Sequence, residues 1–316
     1  MTIPETASNE VPRVAALVGP TAVGKSAVAL EVAPHLGAEI VSIDSMQIYK
    51  AMDIGTAKPS IEERNSVPHH LLDMWPADYE VTVAEFQSVA RRAIEEISSR
   101  GRVPLLVGGS GLYFRAVVDD LRFPPRSIEV RRDLEREAED VGAEALHARL
   151  EKVDPVAAGR IEPTNARRIV RALEAIELTG RPFSENDSWD RYESRYRLAA
   201  AGLALERSAL YRRISERVDE MFRRGLEREV RDLERNGLGV TARQALGYRQ
   251  ILEAGEDVSR STLLDEVVKA TKRFARRQES WFRTDPRIRW FDAADRDVED
   301  KVMEYLRDSL ALDQGG

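Results

Sequence analysis

The chain has 316 residues, a formal net charge of -7 and no cysteine. That length allows one large domain or two smaller ones around a sizeable core, and the lack of thiols excludes disulfides, thiolate zinc sites and a cysteine nucleophile. The acidic balance argues weakly against a nucleic-acid partner, although segregated charge can override net charge.

Residues 1–11 read as a disordered tail, and the first twelve residues lack the apolar core of a signal peptide. No run is long and apolar enough to span a bilayer, so a soluble cytoplasmic protein is expected, without membrane contact. Residues 14–18 predict a buried strand. It runs into Gly19, Pro20, Thr21, Ala22, Val23, Gly24, Lys25 and Ser26, and helical apolar spacing follows from Lys25 to about Leu36. Strand, glycine loop and helix with this spacing form a Walker A phosphate loop. The glycines let backbone N–H groups turn inward around phosphate oxygens, and the helix N-terminus adds partial positive charge. Lys25 reaches the outermost phosphates, and the Ser26 hydroxyl can hold Mg²⁺. The bland alternative is a glycine turn with an exposed lysine. The motif specifies a di- or triphosphate without saying whose.

Residues 38–43 predict a second strand that ends on Asp44. The carboxyl ends of strands line the ligand crevice of an open parallel sheet, so Asp44 is expected on the rim that carries the phosphate loop; a turn or cap is the other role open to it. Residues 46–68 read as a long irregular connection, uncommon unless functional. His69 and His70 suit packing better than metal binding. Thr82-Val83-Ala84-Glu85 is a capping box for a helix that Gly101 stops. Residues 103–107 predict a buried strand ending on Gly108-Gly109-Ser110-Gly111, where a Walker B strand would end on an acid. Residues 123–195 read as a helical insertion in an α/β core made of residues 12–122 and 196–312. Within the core, residues 197–205 predict a strand, residues 207–224, 226–235 and 262–283 helices. Arg243, Tyr248 and Arg249 suit stacking on bases and pairing with phosphates, with ordinary surface arginines as the alternative. Basic residues concentrate at 160–181 and 269–289, a plausible polyanion footprint.

Several of these motifs, taken in order, resemble the bacterial tRNA dimethylallyltransferases. They are residues 19–26, Asp44-Ser45-Met46-Gln47-Ile48-Tyr49, Asp53-Ile54-Gly55-Thr56-Ala57-Lys58-Pro59, Pro68-His69-His70-Leu71, residues 108–113, residues 167–174 and Gly247-Tyr248-Arg249-Gln250. The resemblance covers about residues 13–290. It implies a P-loop NTPase-like α/β core and a tRNA prenyltransferase that acts on N6 of the adenosine 3′ of the anticodon, with dimethylallyl diphosphate as donor and Mg²⁺ as cofactor. It further implies catalytic roles for Asp44, Lys25, Ser110 and Arg217, with Ser110 standing where the family usually has threonine. It implies tRNA contacts by Asp44, Ser45, Met46, Gln47, Arg132, Arg167, Arg168, Arg171, Arg243, Gly247, Tyr248 and Arg249, and a monomer. The rival readings are a P-loop small-molecule kinase and an adenylate prenyltransferase.

Overall fold

The apolar run at residues 14–18 has the pattern of a strand buried on both faces. In the computed structural model, which describes residues 11–186, 191–255 and 258–311, it forms β1 (Arg13–Val18) with every residue after Arg13 buried. The expected tail, apart from Val11, lies outside the described residues, as do residues 187–190 and 312.

In chain order the elements after β1 are α1 (Lys25–His35), β2 (Ala38–Ser42), α2 (Ile61–Ser66), β3 (His69–His70), α3 (Val83–Ser99), β4 (Val103–Gly108) and α4 (Gly111–Val118). There follow α5 (Ile128–Val141), α6 (Ala143–Val153), α7 (Pro155–Ala158), α8 (Ala166–Thr179) and a 3₁₀ turn at Phe183–Asn186. The chain closes with β5 (Arg197–Ala204), α9 (Arg207–Arg223), α10 (Leu226–Asn236), α11 (Val240–Arg243), α12 (Tyr248–Glu253), α13 (Arg260–Arg283), β6 (Ile288–Asp292) and α14 (Val298–Leu310). The strands form one parallel sheet in the order β3-β2-β4-β1-β5-β6. This is the expected α/β core. Because all strands point the same way, the loops after β1, β2 and β4 share one edge, where ligands bind in such sheets. No helix among the described residues is long and apolar enough to cross a membrane.

Two stretches depart from the reading above. The connection at 46–68 is irregular only as far as Ser60, where Ser60 and Glu63 form a capping box that starts α2. Lys58, almost fully buried, ties the loop together through Asp53 at 2.7 Å, Asp73 at 2.6 Å and the Tyr49 carbonyl at 2.8 Å. His70 meets buried Glu39 at 2.7 Å, which Arg100 also pairs at 2.8 Å, and His69 contacts the Val67 carbonyl.

The chain divides into two compact units: residues up to Asp119 with those from Tyr192 onward, and Asp120–Arg191. The second unit is therefore offset from the 123–195 expected. Its C-terminal limit moves because Tyr192 packs on the first unit, with the Arg115 guanidinium 4.5 Å and the Arg287 guanidinium 5.5 Å from its ring centre. Asp119 adds an antiparallel bridge to Ser194.

The second unit has its own core, built from Leu134, Leu146, Leu150, Ile169, Val170 and Leu173 among others. Within it Glu174 is fully buried and accepts from Arg131 at 2.6 Å, Arg171 at 2.8 Å and the Ser127 N–H at 3.1 Å. Burial opposes its charge, but the two guanidiniums and the N–H outweigh it and hold its pKa below the ordinary 4.5. The stabilisation is complete above 4.5 and is lost as pH falls through the depressed folded value. Glu174→Ala should cost about 1 to 3 kcal/mol at pH 7, because it leaves two half-buried arginines without their carboxylate. In denaturant titrations, the gap between native chain and variant should narrow as pH falls below 4; a gap constant from pH 7 to 3 would contradict this account.

Candidate active site

The phosphate loop adopts the backbone its sequence requires. Gly19 has φ +144° and Gly24 φ +114°, conformations that favour glycine. A Cβ at Gly19 would lie 2.6 Å from the Leu203 carbonyl oxygen on the neighbouring β5. Ala22 also holds positive φ, 64°, a local strain of the kind that collects at functional loops. Val23 is buried and anchors the loop. Ser26, in the first turn of α1, is exposed, and its hydroxyl makes no hydrogen bond among the described residues.

Lys25 is turned back on the loop, donating to the Gly19 carbonyl at 3.0 Å and the Pro20 carbonyl at 2.7 Å. Desolvation by the surrounding protein, with the Arg217 charge added, pushes its pKa down to about 7; Asp44 opposes that shift. Arg217, on α9, is itself held below its ordinary value by desolvation, again opposed by Asp44. Lys25, Arg217 and Asp44 are thus within electrostatic reach of one another. One turn before Arg217, Arg213 donates to the Val23 carbonyl of the loop at 2.9 Å. Thr21, Ala22, Arg217, Val218, Met221 and Leu246 line a small, largely apolar cavity beside the loop.

Asp44 follows β2, whose ladder is extended by the Ile43 N–H bond to the Val107 carbonyl at 2.9 Å. The Asp44 Oδ1 accepts from the Met46 N–H at 2.8 Å and the Gln47 N–H at 3.4 Å, the turn role considered above. Its Oδ2 makes no hydrogen bond among the described residues, so the side chain holds a turn with one oxygen and offers the other. Ser110 stands at the N-cap of α4 without a side-chain capping bond. It is half-buried, and its hydroxyl is unengaged among the described residues.

Other expected contact residues turn out to be spent internally. The Gln47 amide accepts from Ser42 at 2.9 Å and donates to the Thr56 and Ala57 carbonyls at 3.1 and 3.3 Å, which joins two loops. Met46 packs on the core, while Ser45 is half-exposed. Tyr248 corrects the base-stacking expectation: its ring is fully buried, and its hydroxyl donates to Glu229. Glu229 also receives the N–H groups of Asp53, Ile54 and Gly55 at 3.1, 2.7 and 3.1 Å. Tyr248 therefore supports a carboxylate that fills a nest of backbone donors. Gly247 is buried too, with φ +85°, and serves the turn into α12. Arg243 pairs with Glu234 at 3.1 Å and Arg249 with Glu253 at 3.8 Å, both weak surface contacts.

In the second unit, Arg132, Arg167 and Arg168 are exposed. Arg171 is not free in the same way. It donates to the Pro124 and Pro125 carbonyls at 2.6 and 3.0 Å and pairs with Glu174, so its first duty is to the fold. Arg126, absent from the expected set, has its pKa lowered by partial burial and by the neighbouring charges of Arg171 and Arg131.

Sequence reasoning also missed Arg213 and Gln278. Arg213 had a signal, since it stands at i, i+4 from Arg217 beside the buried ridge Leu210, Ile214, Val218 and Phe222. Gln278 had one as well: it interrupts the buried stripe Thr271, Ala275, Phe282 of α13. Its Oε1 accepts from the Thr21 N–H at 2.9 Å, and its Nε2 donates to the Gly109 carbonyl at 2.8 Å.

Comparison with known proteins gives a consistent picture. The family profile described as IPP transferase matches residues 47–285. A tRNA dimethylallyltransferase of Streptomyces coelicolor is 52% identical over 308 residues, covering 95% of this chain and 96% of that protein. One from Thermobifida fusca is 54% identical over 293 residues, covering 89% and 91%. Among solved structures, the full-length tRNA isopentenylpyrophosphate transferase of Bacillus halodurans superposes with a TM-score of 0.70 at 40% identity, over 95% of this chain and 97% of that one. A eukaryotic dimethylallyltransferase described as acting on tRNA gives a TM-score of 0.79 at 26% identity, over 90% and 74%.

The lowered pKa of Lys25 would make phosphate binding at this loop pH-dependent. A phosphate anion favours the ammonium, so binding raises the lysine pKa above about 7 and draws in a proton. Affinity for inorganic diphosphate should fall as pH rises above 7. In calorimetry at pH 7, the native chain should take up about half a proton more than Lys25→Arg, whose guanidinium stays charged. Equal uptake by the two proteins would show that Lys25 is already fully charged.

Proposed function

This chain belongs to the IPP transferase family, and from that premise we propose that it transfers a dimethylallyl group from dimethylallyl diphosphate to N6 of the adenosine 3′ of the anticodon in tRNA, releasing diphosphate. One observation carries the reading: the phosphate-loop lysine, the Arg217 guanidinium and the Asp44 carboxylate act on one another at the carboxyl edge of the sheet.

In the reaction the N6 lone pair forms a bond to C1 of the prenyl group. The allylic C–O bond breaks, diphosphate leaves with the bonding pair, and an N6 proton passes to a base. The departing charge is the largest demand, best met by preorganised donors. The inward amides of the loop answer it, with Lys25 exchanging its two carbonyl partners for phosphate oxygens and Arg217 beside it. The free Ser26 hydroxyl fits a Mg²⁺ ion, which takes few protein ligands and the rest from phosphates and water; when bound, it would neutralise diphosphate charge. Asp44 suits the base, with its Oδ1 holding the turn and its Oδ2 open. Ser110 offers a hydroxyl from the end of β4. The apolar cavity beside the loop suits a short branched hydrocarbon.

A kinase reading is less well supported, since β4 ends on glycines and Ser110 rather than on a carboxylate. An acceptor as small as a free adenine nucleotide leaves the exposed arginines without a task. Arg132, Arg167 and Arg168 in the second unit suit phosphate contacts, as do Arg249 on α12 and the exposed stripe Lys269, Arg273, Arg276 and Arg277 on α13.

Mass spectrometry of tRNA nucleosides after incubation with dimethylallyl diphosphate tests the activity directly. An anticodon stem-loop should be modified and AMP should not; the reverse would favour the nucleotide prenyltransferase. Asp44→Ala should lower turnover by about 10²- to 10⁴-fold with little loss of tRNA affinity, and parallel losses in both would remove it as the base. Arg167→Ala with Arg168→Ala should weaken tRNA binding and reduce the log–log salt slope by about 2; an unchanged slope would mean these arginines do not meet phosphates.

A further inference from the structure

Gln278 sits in the buried stripe of α13, where neighbouring positions are Thr271, Ala275 and Phe282. A buried carboxamide is costly unless both ends are paired. Here both are, and the partners are backbone groups of two different loops. The oxygen faces the Thr21 N–H of the phosphate loop, and the nitrogen faces the Gly109 carbonyl in the loop that presents Ser110. The chemistry of the partners fixes the orientation, because a flipped amide would set donor against donor and acceptor against acceptor. The contact also explains a glycine: a Cβ at Gly109 would lie 2.3 Å from the Gln278 Nε2. One turn on, Trp281 packs on Gly111 just as closely, with 2.0 Å between its ring and a Cβ built there.

We propose that Gln278 is a positioning residue for the donor site, a staple that sets the spacing between the diphosphate-holding loop and the Ser110 loop. Its side chain satisfies the Thr21 N–H from the protein side, which ties down the start of the loop whose later amides would receive the anion. Neither loop has another side-chain tie to the other among the described hydrogen bonds. The role rests on the reading of this loop as the diphosphate site. It predicts an effect on the donor and not on tRNA, and an effect that tracks the donor–acceptor character of one amide.

The test uses the full-length chain with dimethylallyl diphosphate and an anticodon stem-loop, and compares Gln278→Glu, Gln278→Leu and Gly109→Ala. Gln278→Glu can still accept from Thr21, but when ionised it faces the Gly109 carbonyl with a second acceptor. At pH 8 its kcat/KM for the donor should fall about 100-fold, with KM for the stem-loop unchanged. Lowering the pH to 6 should recover about tenfold relative to the native chain, because a protonated carboxyl donates to Gly109 as the amide does. Gln278→Leu should lose a similar factor at both pH values. Gly109→Ala, whose Cβ would press on the Gln278 amide and lie 3.2 Å from the Gly19 carbonyl oxygen, should reproduce the donor defect and covers the case in which the Gln278 variants fail to fold. Variants with native donor kinetics, a loss confined to the stem-loop, or a Gln278→Glu defect independent of pH would overturn the proposal. Calorimetry of inorganic diphosphate with the native chain separates the two readings: no binding there defeats the diphosphate site itself, whereas native binding with unaffected variants defeats only the staple.

Discussion

Close approach of backbone to backbone at one edge of the sheet is the constraint on which the rest of this structure depends. An anion held by main-chain amides requires a loop that curls tightly, and that loop starts where β1 meets β5 with no room for a side chain at Gly19. The same edge must also bring up the ends of β2 and β4. Parallel strands make this possible, since their carboxyl ends fall on one side. The order β2-β4-β1-β5 then sets Asp44, Ser110 and the phosphate loop along a single rim.

Around that rim the protein spends its polar side chains on holding loops. Glu229 gathers three consecutive N–H groups, Lys58 gathers two carboxylates and a carbonyl, Gln47 bridges Ser42 to two carbonyls, and Gln278 spans two loops. Each is a buried or half-buried group with its bonding capacity used, the condition under which a polar group stabilises a fold. What remains unspent is correspondingly informative. The Ser26 and Ser110 hydroxyls and the Asp44 Oδ2 face no intramolecular partner among the described residues. The lysine that is spent, Lys25, holds carbonyls that an anion could replace, and it does so at a pKa pushed down to about 7.

The strands and the phosphate loop were legible because their signals are local. Apolar runs and Gly19–Lys25 spacing need no knowledge of the rest of the chain. Asp44 was legible as the residue that ends the second strand, whereas Arg217 was reached through resemblance alone, and its proximity to Asp44 depends on α9 packing against the loop through Arg213. Long-range partnerships were not legible. Nothing near Tyr248 in sequence shows that its hydroxyl belongs to Glu229, so an aromatic beside arginines read as a stacking surface when it is core. Nothing near Gly109 and Gly111 in sequence shows that α13 packs on them through Gln278 and Trp281. The second unit's arginines divide in a way composition cannot show, with Arg171 and Arg131 neutralising Glu174 and Arg132, Arg167 and Arg168 left on the surface.

The central claim is that diphosphate leaves from the glycine loop opposite a carboxylate that receives an amino proton. A crystal structure with diphosphate and an anticodon stem-loop bound tests it most directly. The account predicts diphosphate oxygens on the amides of residues 22–26, the Lys25 ammonium turned from the Gly19 and Pro20 carbonyls to those oxygens, and the Asp44 Oδ2 within hydrogen-bonding distance of the target N6. Diphosphate held elsewhere, or an Asp44 carboxylate directed away from that adenine, would contradict it.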